Sequence, residues 1–87
     1  MKRRLLVVDN EIDICNFVKL FFETRGFQVF TALNGDEALQ GDAAGAPEII
    51  LLDVRMRSEF EGLDFLPRLR QSYPRARVIL VSGLDDP

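Results

Sequence analysis

Leu5-Leu6-Val7-Val8-Asp9-Asn10-Glu11 decides the fold, because four consecutive branched apolar residues run straight into three polar ones. The run has no apolar/polar alternation, so both faces of the strand it forms must be covered. That is the pattern of a central parallel strand held between helical layers. Two further segments repeat the form: Glu48-Ile49-Ile50-Leu51-Leu52-Asp53 and Arg77-Val78-Ile79-Leu80-Val81-Ser82. Each has strand length and ends in a polar residue.

Between the first two runs, Ile14, Phe17, Val18, Phe21 and Phe22 recur at i, i+3, i+4, i+7 and i+8. This spacing predicts a helix from Ile12 to Arg25, stopped by Gly26, with Phe17, Phe21 and Phe22 in the core. Cys15 falls just off that stripe and reads as a semi-buried structural thiol. Gln28-Val29-Phe30-Thr31 predicts a short second strand, and Asn34 can cap a brief helix through Ala38 and Leu39. Residues 42–47 form a small-residue loop. Gly62 is placed to open a third helix carrying Phe65, Leu66, Leu69 and Tyr73, which Pro74 closes; Pro67 is expected within about a turn of its start, where a missing N–H costs little. The order β-α-β-α-β-α-β makes an α/β fold with a parallel sheet and right-handed crossovers.

Eighty-seven residues correspond to one domain, 1–87, and exclude a two-domain enzyme. Hydrophobic residues at 47% and charged residues at 29% match a globular protein with a core rather than a disordered chain. A net charge of −3 argues against nucleic acid as a direct ligand of this segment. One cysteine and no histidine exclude an internal disulfide framework and a zinc site, and point to a reducing compartment. The apolar run behind Met1-Lys2-Arg3-Arg4 is too short for an export signal, and no run reaches membrane-spanning length. A soluble, cytoplasmic, membrane-free protein is the expectation.

In parallel sheets of this kind ligands bind beyond the carboxyl ends of the strands. Asp9, Asn10 and Glu11 follow the first strand, Asp53 ends the third and Ser82 ends the fourth. If the first and third strands are neighbours, Asp9 and Asp53 converge, and paired carboxylates with water favour a divalent cation such as magnesium. An aspartate beside that ion is a nucleophile suited to phosphorus. The plainer alternative is that Asp9 or Asn10 only caps the first helix and that Ser82-Gly83 is an ordinary turn.

Four motifs in order, Leu6-Val7-Val8-Asp9-Asn10-Glu11, Pro47 through Asp53, Gly62-Leu63-Asp64-Phe65-Leu66 and Val78 through Gly83, resemble the receiver domains of two-component response regulators. The resemblance runs from about Arg4 to the last residue. It implies a flavodoxin-like, doubly wound parallel sheet, here in order 2-1-3-4, and a phosphoacceptor module rather than an enzyme. Position by position it implies Asp53 as the phosphoacceptor, Asp9, Asn10 and Asp53 as metal ligands with the Arg55 backbone carbonyl, and Ser82 as the hydroxyl that contacts the phosphoryl group. Mg2+ is the implied cofactor, and a histidine kinase or phosphotransfer protein the implied partner.

The chain departs from the family pattern in three places. Asn10 stands where the family has a carboxylate, so weaker metal binding is expected. After Asp53, Arg57 replaces a customary proline, and the loop to Gly62 is one residue longer than usual. Beyond Pro87 the family continues with a helix, a fifth strand ending in a lysine, and a last helix; the sheet is therefore expected to be incomplete. Without that strand, Arg77 to Ser82 becomes an apolar edge, and self-association through it is expected. The alternative function is a phosphorylation-independent interaction module. A magnesium-dependent phosphatase is disfavoured, because Arg55 stands where its second aspartate would be.

Overall fold

A computed structural model describes residues 2–40, 46–54 and 61–81 of the chain. Leu5, Leu6, Val7 and Val8 are all buried, as a strand covered on both faces must be. They form the centre of β1 (Arg3–Val8), which is followed by α1 (Ile12–Glu23), β2 (Phe27–Ala32), α2 (Gly35–Gln40), β3 (Ile49–Asp53), α3 (Glu61–Ser72) and β4 (Arg77–Val81). The strands make one parallel sheet in the order β2-β1-β3-β4, the expected one.

The pleat splits the apolar runs between two layers of core. Leu5, Val7 and Val29 face α1, where they meet Cys15, with Val18 and Phe22 packed against them. Leu6, Val8, Ile50 and Leu52 face α2 and α3, where Ala38, Leu69 and Tyr73 close the layer. The Tyr73 hydroxyl donates a buried 2.7 Å hydrogen bond to the Ala38 carbonyl, tying α3 to α2. Gly35 meets Phe65 so closely that a Cβ there would overlap the ring.

Several sequence expectations need correction. α1 ends at Glu23 rather than Arg25, because Arg25 N–H bonds back three residues to the Phe22 carbonyl at 2.9 Å and tightens the last turn. Gly26 then turns the chain with φ of +90°, the left-handed stop its position predicts. β2 is a residue longer at each end than expected, since all six of its residues pair with β1.

The buried face of α1 is centred on Cys15, with Val18 and Phe22 of the predicted stripe packed beside it, while Ile14, Phe17 and Phe21 of that stripe lie exposed. Phe17 is 67% exposed and Phe21 40%, so neither is a core residue, and Cys15 is fully rather than partly buried. The apolar arc of α1 is wider than the strip of sheet beneath it. Its outer rings instead chain together, Phe17 on Phe21, Phe21 on Phe22 and Phe22 on Phe27, with the Arg25 guanidinium 3.9 Å above Phe21.

Pro67 is not within the first turn either. It sits inside α3, where it cannot donate to the Leu63 carbonyl. Both positions face solvent, so water can take the missing donor's place.

Candidate functional site

β1 and β3 run side by side in parallel, with Val8 paired to Leu52. One step further along both chains lie Asp9 and Asp53, on neighbouring strands roughly 4.8 Å apart. The two acids are thus brought together at the carboxyl edge of the sheet by register alone. Both are partly buried. Burial first, then the charges of Asp53 and Glu11, hold the Asp9 carboxyl above its ordinary value, against the pull of a hydrogen bond from Glu11 N–H.

That hydrogen bond bears on the capping alternative. Asp9 Oδ1 accepts the Glu11 N–H at 2.9 Å within the turn, whereas the cap position of α1 is Glu11, whose side chain makes no capping bond. Neither Asp9 nor Asn10 is therefore the N-cap of α1. Asn10 lies exposed in the same turn. On the other flank, Asp53 pairs in register with Val81, and Val54 N–H donates to the Val81 carbonyl at 3.0 Å, so β4 ends beside the acids. Ser82 and Arg55 lie outside the described residues.

Two contacts fix the backbone around Asp9. Its N–H donates to the Ala32 carbonyl at 3.0 Å, and its carbonyl accepts the Cys15 thiol at 3.3 Å. Burial and the neighbouring Asp9 charge push the Cys15 thiol up from its ordinary value. At the start of α2, Asn34 Oδ1 accepts Glu37 N–H at 2.8 Å, the expected cap, and Glu37 Oε1 accepts Leu33 N–H at 2.8 Å. The Glu37 contact escapes the reading of Asn34 as a lone cap. The available signal was a glutamate three residues after a capping asparagine.

Among the described residues no three carboxylate, imidazole or thiol groups converge. Two carboxylates with an adjacent amide do suit Mg2+, which keeps several waters and binds through one or two carboxylates.

The sequence matches the family described as the response regulator receiver domain over residues 5–87. It is 34% identical over 84 residues to the nitrogen assimilation regulatory protein NtrX of Azorhizobium caulinodans, covering 95% of this chain and 18% of that protein. It is 31% identical to the alkaline phosphatase synthesis transcriptional regulatory protein PhoP of Bacillus subtilis, covering 99% and 35%. The chain therefore spans about a third or less of the length of these two relatives. A response regulator from Burkholderia pseudomallei, crystallised with a phosphorylated aspartic acid, calcium and citrate, superposes with a TM-score of 0.85 at 28% identity, covering 98% of this chain and 49% of that one. The response regulator TrrA of Thermotoga maritima, in complex with Mg2+ and BeF, superposes at 0.79 with 31% identity, covering 95% and 71%. With a flavodoxin-like sheet in order 2-1-3-4 and paired aspartates at its carboxyl edge, this chain belongs to the response regulator receiver domain family.

Proposed function

We propose that Asp53 is the phosphoacceptor of this receiver domain and takes its phosphoryl group from a phosphohistidine on a histidine kinase or phosphotransfer protein in the cytoplasm. The observation that carries this is the pairing of Asp9 and Asp53 at the ends of adjacent parallel strands. A carboxylate oxygen of Asp53 attacks phosphorus, the P–N bond breaks, and its electron pair returns to the imidazole nitrogen, leaving an acyl phosphate on Asp53. Asp9, Asn10, Asp53 and the Arg55 backbone carbonyl would hold Mg2+, and the Ser82 hydroxyl would contact the phosphoryl oxygens. What a bound Mg2+ supplies is charge neutralisation where carboxylates and phosphoryl oxygens crowd together. The Burkholderia relative with a phosphorylated aspartate supports the acceptor assignment, and the Mg2+ complex of the Thermotoga relative supports the metal.

The chain is incubated with acetyl phosphate and Mg2+ and its mass measured. One phosphoryl adduct, absent from Asp53→Asn and from samples with excess chelator, is the expected result. A chain that is folded by circular dichroism yet gains no adduct overturns the assignment. The second reading, a phosphorylation-independent interaction module, then stands. It is favoured by Asn10, which leaves the site one carboxylate short of the family pattern, and by the exposed apolar residues of β4.

A further inference from the structure

We propose that Glu37 is a positioning residue for Asp9 and acts through a single peptide group. The inference rests on Asp9 being a metal ligand. The Ala32–Leu33 peptide is held at both ends: its N–H donates to Glu37 Oε1 at 2.8 Å, and its carbonyl accepts the Asp9 N–H at 3.0 Å. Peptide groups are planar and rigid, so fixing one end fixes the direction of the other. Both bonds lie on the one peptide group, so losing the Glu37 acceptor frees the carbonyl end as well.

Glu37 therefore fixes the carbonyl that anchors Asp9 at the point where the sheet ladder gives way to the turn. The Cys15 thiol holds the Asp9 carbonyl from the other side, and Glu11 N–H occupies Oδ1. With the backbone clamped and Oδ1 engaged, Oδ2 of Asp9 is, among the described residues, the oxygen left for a cation.

The competing account is that Glu37 merely caps α2, or merely adds negative charge near the site. Three variants separate these. Glu37→Ala removes the acceptor, Glu37→Gln keeps an oxygen acceptor but removes the charge, and Asn34→Ala removes the α2 cap on Glu37 N–H while leaving the Glu37 to Leu33 contact in place. Mg2+ affinity is read by calorimetry, and amide exchange at Asp9 and Leu33 by NMR.

Glu37→Ala is expected to weaken Mg2+ binding by about tenfold, the low end for residues that orient a metal ligand. It should also speed exchange at the Asp9 amide. Glu37→Gln and Asn34→Ala should keep near wild-type affinity and Asp9 protection, although Asn34→Ala lowers global stability. Equal loss in Glu37→Ala and Glu37→Gln would assign the effect to charge, and equal loss in Asn34→Ala would assign it to capping; either overturns the proposal. If the wild-type chain binds no Mg2+, the metal-ligand assignment of Asp9 fails by itself. The exchange rate of the Asp9 amide in Glu37→Ala still decides whether Glu37 positions it.

Discussion

Asp9 is a charge the fold tolerates at a cost. Its carboxyl is held above the ordinary value by burial and by Asp53 and Glu11, so ionisation is less favourable in the folded chain than in the unfolded one. By linkage this group's contribution is best below the unfolded value of 3.8 and declines as pH rises through the raised folded value. Asp9→Asn keeps an oxygen to accept Glu11 N–H and removes the charge. In metal-free buffer it is expected to raise the urea midpoint at pH 7, with a gain of about 0.2–1 kcal/mol because partly exposed charges are screened. The gain should vanish at pH 3, and Mg2+ binding should weaken; an unchanged midpoint at pH 7 would show that the repulsion is negligible. Asn10→Asp is the converse experiment, expected to tighten Mg2+ binding in calorimetry while lowering metal-free stability. Asp9 and Asp53 were legible in the sequence because each ends an apolar strand, so strand order alone decides whether they meet. Glu37 was not legible as part of the site, because it reaches Asp9 only through the Ala32–Leu33 peptide and no spacing rule encodes that path.

Between residues and the whole chain, the strands were legible and the helix faces were not. β1 is buried on both sides, and β3 is buried on one side and half-buried on the other, so an unbroken apolar run is a strong signal. α1 has apolar residues over a wide arc. Which of them face the sheet depends on how the helix is rotated, and the sheet covers the side of Cys15 rather than that of Phe17. α3 carries a different conflict, because Pro67 lies inside it rather than in the first turn. Interior proline costs a helix about 3 kcal/mol, whereas its benefit through the unfolded chain is only about 0.4–1 kcal/mol. Pro67→Ala is therefore expected to stabilise the chain by about 2 kcal/mol in urea unfolding; destabilisation would mean the ring is needed where it packs. The contact between α2 and α3 gives the opposite forecast. Gly35→Ala places a methyl against the Phe65 ring and should cost about 1–3 kcal/mol, the usual penalty of overpacking. Part of that loss should return in Gly35→Ala/Phe65→Leu, whose smaller side chain gives room.

For the molecule as a whole, the two borders of the sheet differ in kind. β2 exposes only its two polar residues, Gln28 and Thr31, and keeps its apolar ones buried or half-buried. β4, at the other border, exposes three consecutive apolar residues: Ile79 at 50%, Leu80 at 46% and Val81 at 45%. Successive residues of a strand point to opposite faces, so Ile79 and Val81 leave apolar surface on the α1 side of the sheet and Leu80 on the other. Native proteins shield such borders with charge, proline or a bulge, and here the only charge on the strand is Arg77 at its start. A two-fold axis beside β4 would pair it antiparallel with the same strand of a second copy, joining two four-stranded sheets and setting the exposed apolar residues of the two strands side by side. The 87-residue chain is accordingly expected to sediment as a dimer or larger species at micromolar concentration. Leu80→Lys should return it to monomer without loss of helical signal, because a border lysine blocks strand pairing while its stem stays extended from an already exposed position. The same variant should keep its phosphoryl adduct on Asp53, since Leu80 lies on β4 and pairs with Leu52, one step short of the acid. A wild-type chain that sediments as a monomer across that range would overturn the expectation. A Leu80→Lys dimer would place the contact elsewhere, with the exposed Phe17, Leu20 and Phe21 of α1 as the next surface to charge.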